Sequence, residues 1–153
     1  MGTIRNSAKA IIIEDGKMLF TKNKDHLGIF YLLPGGGQEH QENLQEALKR
    51  ECMEEISADI SIGDIKFIRE YIGKNHEFAE WDSEVHQIEY MFECDLLSKA
   101  EPKSGVVPDN MQVGVEWLDL KKLDEYRIYP KLLKYMINED GTFESKVYLG
   151  DTN

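Results

Sequence analysis

Residues 43–56 read Asn-Leu-Gln-Glu-Ala-Leu-Lys-Arg-Glu-Cys-Met-Glu-Glu-Ile, and the second half of this run puts carboxylates where a helix would carry its core. Asn43 as N-cap, with Glu46 three residues on, makes a capping box and predicts a helix ending near Ile56. At 100° per residue Leu44, Ala47 and Leu48 share one arc, and Glu51, Glu54 and Glu55 return to that arc one to two turns later. Like charges at this spacing repel, and these sit toward the negative end of the helix dipole. A cation has to offset them. The opposite face carries Gln45, Glu46, Lys49 and Met53, so the acids are not simply the solvated side. The competing reading is a salt-bridged surface helix, with Arg50 pairing Glu46 and Glu54 at four-residue spacing.

What lies upstream favours the first reading. Phe30-Tyr31-Leu32-Leu33 has the pattern of a short buried strand, and Pro34-Gly35-Gly36-Gly37 follows as a predicted loop without Cβ atoms. Such a backbone can approach an ion or a phosphate closely. Strand, glycine run and acid-bearing helix in that order carry more information than any of the three alone.

Residues 36–58 resemble the Nudix hydrolase signature: a glycine, five residues, Glu, seven residues, Arg-Glu, an apolar residue, any residue, Glu-Glu, any residue, Gly and an apolar residue. Gly36, Glu42, Arg50, Glu51, Cys52, Glu54, Glu55 and Ala58 fall on it. Ser57 stands in place of the last glycine, and Gln41 stands where many members have a glycine before the first Glu. Neither position supplies a metal ligand in the family pattern. The expected consequence is local strain, about 1 kcal/mol wherever φ must be positive.

The resemblance implies an α/β fold, a Nudix-like α/β/α sandwich with a mixed sheet between helices, forming a single domain over residues 1–153 with its motif at 36–58. It implies metal-dependent hydrolysis of a pyrophosphate linkage in a nucleoside diphosphate joined to another group. Charge that builds on phosphoryl oxygens needs divalent neutralisation, and carboxylates with a backbone carbonyl are hard ligands suited to Mg2+ or Mn2+. Glu51 and Glu55 are the expected principal ligands, with Glu54 as a third ligand or a bridge through water, and Gly35 or Gly36 offering a carbonyl. Arg50 is expected to pair with Glu42 and hold loop to helix. Glu54 is the first candidate to activate water, with Asp109, Glu77, Glu80 and Asp82 as rivals. A nucleotide-binding sensor of the same fold, without turnover, is the alternative.

Nucleotide recognition needs an aromatic shelf and cations. Trp81 and Phe78 are the expected shelf, while Tyr31 and Tyr71 read as core or sheet-edge residues; Arg5 and Arg69, with Lys22 and Lys24, are the phosphate candidates. A downstream proline or tyrosine marks the ADP-ribose and dinucleoside polyphosphate subclasses of the family. Ile72-Gly73-Lys74-Asn75-His76 carries neither.

With 153 residues and 41% hydrophobic content, one domain with a sizeable core is expected. A net charge of −11 argues against a nucleic-acid groove and for a small anionic partner received through cations. No apolar run is long enough for a membrane helix and no secretory signal opens the chain, so a cytoplasmic enzyme is the default; a homodimer is left open. Cys52 and Cys94 read as buried thiols, and the four histidines lack metal-ligand spacing.

The remaining pattern predicts a hairpin, Ser7 to Ile13 and Lys17 to Lys22, turning at Asp15-Gly16. Further strands are predicted at Asp59 to Tyr71, bent near Gly63-Asp64, at His86 to Leu96 and at Val113 to Leu118. A loop joins Gly73 to Glu84, a helical turn spans Leu120 to Glu125, and a helix runs from Pro130 to Asn138. The tail beyond Glu139 has no clear pattern.

Overall fold

The computed structural model describes residues 2–97, 101–105 and 111–153. Within them the chain runs β1 (Arg5–Glu14), β2 (Lys17–Asp25), β3 (Gly28–Leu32), β4 (Gly35–Gly37), α1 (Leu44–Ile56), β5 (Ile60–Ile72), a helical turn α2 (Ala79–Asp82) and β6 (His86–Leu96). It continues with β7 (Gln112–Asp119), β8 (Ile128–Tyr129), a second helical turn α3 (Leu133–Met136) and β9 (Tyr148–Asp151). The hairpin turn follows from its residues. Asp15 and Gly16 both hold positive φ, as the tight turn between β1 and β2 requires.

Nine strands among the described residues form one mixed, curled sheet in the order β8-β3-β2-β1-β6-β5-β9, with β4 on β1 and β7 on β2. β1 is shared between its halves. Its N-terminal part lies between β4, antiparallel, and β6, parallel, and its C-terminal end pairs with β2. The glycine run, expected as a loop, is thus an edge strand whose backbone pairs with Ser7, Ala8 and Lys9.

Alternation divides the core in two. Ala8, Ala10 and Ile12 of β1 and Phe92 and Cys94 of β6 face α1, packing on Leu48, Cys52 and Ile56. On the other face Ile11, Phe67 and Met91 join residues from the C-terminal third, including Leu123, Leu133, Met136 and Ile137. β6 is consequently covered on both faces over much of its length. Glu89 and Met91, which share an alternating side of the strand with Gln87, Glu93 and Asp95, are buried.

The helix expected over Pro130–Asn138 shrinks to Leu133–Met136. Ile128–Tyr129 pairs with β3 before it, and Ile137 extends afterwards to bridge Phe143, so sheet and core contacts override the helical pattern. The tail finds order as β9, parallel to β5. β5 carries its irregular pairing between Ile62 and Phe67, around Gly63-Asp64.

Candidate active site

The capping box at Asn43 and Glu46 forms in full, and α1 ends at Ile56 with Ser57 in the left-handed conformation. On this helix the apolar stripe does not turn acidic; it divides. Leu48, Cys52 and Ile56 go down to the sheet, whereas Glu51 and Glu55 turn to the edge strand β4. Glu55 is buried and its Oε1 accepts the Gly35 amide at 2.8 Å. A Cβ at Gly36 would stand 2.5 Å from the Glu51 carboxyl carbon. Glycine at 36 is therefore what lets the acid reach past the edge of the sheet. The C-terminal carbonyls of α1 are met by neutral donors: Lys103 N to Ile56 O, and Gly105 N and the Gln112 side-chain amide to Glu55 O.

Arg50 supplies the local positive charge. Its Nε and Nη2 donate to the two oxygens of Glu42 at 2.9 and 2.7 Å, and Nη2 also donates to Gly37 O at 3.0 Å. Nη1 donates to Glu51 at 3.0 Å and, at longer range, to Glu54 at 3.4 Å. The Arg50 hydrogen bond, helped by the Glu39 amide, lowers the Glu42 pKa to about 2. The Glu42 bond in turn raises that of Arg50. One guanidinium thus faces three carboxylates besides the exposed Glu39. Glu54 is the most open of the motif acids that Arg50 touches, its side chain 37% exposed against 18% for Glu51.

Glu51 and Gly36 border a cavity of about 650 Å³, a volume typical of small-molecule sites. The floor is one sheet face: Arg5, Ser7 and Lys9 from β1, Gln87 and Glu89 from β6, Arg69 and Tyr71 from β5. Arg69 and Glu89 form a buried pair through Nε, and Gln87 donates to the free Glu89 oxygen at 3.0 Å. Burial pushes Glu89 toward protonation, but the charges of Arg69 and Lys9 outweigh it and the pKa falls. The far wall is aromatic. Phe30, Phe78 and Tyr129 surround the Arg127 guanidinium, with ring centroids 5.0 to 5.9 Å from it. Asp25 neutralises Arg127 through two bonds of 2.8 and 2.7 Å. Trp81, 62% exposed, stands 5.2 Å from His26 and 6.4 Å from Phe78.

Of the residues singled out in the sequence, Glu51, Gly35, Gly36, Arg5, Arg69, Phe78, Trp81 and Asp82 line this cavity, whereas Glu42, Arg50, Glu54, Glu55 and Glu80 do not. Tyr71 lines it too, although buried, whereas Tyr31 lies in the core. Lys22 turns instead to Glu116 on β7, and Lys24 does not reach the cavity wall. Asp82 accepts from Tyr71 at 2.6 Å, and Glu77 accepts from Asn153 and Lys131. Asp109 lies outside the described residues. The sequence reading missed Lys9, Gln87, Glu89, Asp25, Arg127 and Tyr129.

The donor set suits a hard dication: carboxylates of Glu51, Glu54 and Glu55 next to a glycine backbone whose lack of Cβ leaves room. Among the described residues these acids do not converge into a ready-made cage. Arg50 draws Glu51 and Glu54 toward itself, and Gly35 holds Glu55.

A family model described as NUDIX domain matches residues 3–138. The chain belongs to the Nudix family. Nucleoside triphosphatase NudI from Salmonella agona is 33% identical over 89 residues, 55% of this chain and 63% of the relative. The match therefore spans under two thirds of that relative's length. Among solved structures, a MutT NUDIX hydrolase from Burkholderia pseudomallei superposes with TM-score 0.69 at 19% identity, covering 92% of this chain and 98% of its own. A MutT protein from Methanosarcina mazei Go1 gives TM-score 0.66 at 21% identity over 88% and 90% of the two chains. The α/β/α sandwich is the fold they share with this Nudix chain. No helix among its described residues is long and apolar enough to cross a membrane.

Proposed function

We propose that this Nudix protein hydrolyses the pyrophosphate linkage of a nucleotide, using Mg2+ or Mn2+ held where α1 meets β4. The observation that carries the reading is the Glu51 carboxylate, set against Gly36 at the mouth of a cavity that is basic on its floor and aromatic on its far wall. Glu51, Glu55 and Glu54, with a carbonyl of Gly35 or Gly36, would hold the ion. When bound, it supplies neutralisation of phosphoryl charge and acidifies coordinated water.

The chain's own residues divide the remaining tasks. Arg5 and Lys9, on β1 beside the glycine strand, face the phosphates. Phe78 and Trp81 offer the base a shelf. The Asp25–Arg127 pair is charge-neutral and suits an uncharged base or sugar better than a phosphate, which orients the nucleotide with its phosphates toward Glu51. Glu54, the most exposed of the acids facing Arg50, accepts a proton from the attacking water. Arg50 and Glu42 tie helix to loop and keep the acids at the edge strand.

The name of the NudI relatives supports a nucleoside triphosphate as the first substrate class to try. A panel of nucleoside triphosphates, nucleotide sugars and ADP-ribose, assayed with and without Mg2+ or Mn2+ for nucleoside monophosphate and phosphate release, tests the proposal. Metal-dependent release from at least one class is expected. Binding without release across the whole panel would overturn it in favour of a sensor.

A further inference from the structure

Arg69 is buried at the cavity floor, yet only one of its faces meets Glu89. The other meets the segment after β9. Arg69 Nη1 donates to Thr152 O at 2.6 Å and to Asn153 Oδ1 at 3.3 Å. The Asn153 amide then continues the link, its Nδ2 donating to Glu77 Oε1 at 2.6 Å. The polarity of this bridge is demanding. Its oxygen must face a donor and its nitrogen an acceptor, which a primary amide satisfies and a carboxylate does not.

Glu77 directly precedes the aromatic turn. Phe78 O accepts from Trp81 N at 3.0 Å and from Asp82 N at 2.9 Å, so Phe78 is the residue on which α2 closes. Asp151 anchors the same region from behind: its carboxylate accepts from Ile72 N and Asn75 Nδ2, both at 2.9 Å, and meets His76 Nε2 at 2.6 Å. β9 and the two residues after it therefore touch both the cationic floor and the base of the aromatic shelf.

We propose that Thr152 and Asn153 are positioning residues of the nucleotide pocket, holding Arg69 in place and, through Glu77, the turn that carries Phe78 and Trp81. The proposal rests on reading this cavity as the nucleotide site and adds what sets its affinity. Glu51 and Glu55 of α1 stand at β4, separated from β9 by β1, β6 and β5, so the effect falls on substrate binding and leaves the chemical step alone.

The test uses the full chain with N153D, E77A and E77Q. N153D keeps an oxygen toward Arg69 and sets a second carboxylate against Glu77; E77A removes the acceptor, and E77Q retains it. Hydrogen exchange of residues 76–82, followed by mass spectrometry without nucleotide, should accelerate about fivefold in N153D and E77A and stay near wild type in E77Q. KM for ATP, GTP, CTP or UTP with Mg2+, whichever is turned over, should rise by a similar factor with kcat unchanged. Unaltered exchange in N153D and E77A, or a fall in kcat at constant KM, would overturn the proposal. Absence of turnover by the wild type refutes the hydrolase reading alone, because exchange still decides the positioning role.

Discussion

Of the three arginine–carboxylate assemblies that the described residues place around the cavity, those of Arg50 and Arg69 obey opposite rules. Around Arg50 the acids outnumber the cation, the side chains are partly open to solvent, and Glu42 takes most of the guanidinium. Around Arg69 the pairing is one to one with Glu89, at side-chain exposures of 6% and 7%. A surplus of anions beside solvent leaves net negative charge there, the condition the proposed dication would offset. A balanced, desolvated pair holds shape, and breaking it leaves a naked charge. Both assemblies combine an arginine with glutamate, so only stoichiometry and burial separate the end of the pocket proposed to react from its scaffold.

The comparison breaks most visibly if the surplus acids prove dispensable. E51Q should fold as the wild type does by circular dichroism and lose about a thousandfold in metal-dependent turnover; retained activity would make the Arg50 cluster structural. The reciprocal change is E89A, which leaves Arg69 buried without its partner. A loss of about 3–5 kcal/mol in denaturant unfolding is expected, and a loss below about 1 kcal/mol, the range of surface pairs, would place this pair in the surface class.

Much of the Arg50 side was legible in the sequence, because its parts lie within one short stretch. The capping box, the carboxylate spacing and the glycine run are local patterns, and a helix converts spacing into position directly. The Arg69 side was not. Arg69, Glu89, Thr152 and Asn153 come from two strands and the segment after β9, and only the parallel register of β5 with β9 brings the last two near the cavity. Alternation along β6 was visible, but which faces are covered depends on α1 and on the C-terminal third together. The glycine run was recognised while its pairing with β1 was not, since no local feature distinguishes an edge strand of glycines from a loop.

Finer effects sharpen the contrast. Gln41 and Ser57, at the two positions where glycine is usual in Nudix sequences, hold φ of 70° and 56°. S57G should stabilise the protein by about 1 kcal/mol in thermal or denaturant unfolding; an unchanged midpoint would mean that the strain is relieved locally. The smallest effect concerns protons. Glu42 has its pKa lowered from 4.5 to about 2, so its contribution to stability is complete above pH 4.5 and is lost as pH falls toward 2. Wild type should therefore lose more stability across that window than E42Q, measured by urea unfolding at successive pH values. Parallel curves would show that Arg50 gains nothing from this partner.

Because α1 seats Cys52 and Ile56 in the interior with one flank and aims Glu51 at the pocket with the next, it behaves as a lever whose fulcrum is the protein core. A substitution such as Cys52→Val, which overfills the interior beneath the helix, is expected to displace Glu51, and a displacement of about 1 Å at a reacting centre can cost roughly a hundredfold in rate. The interior beneath this helix therefore bears on where Glu51 points as well as on stability.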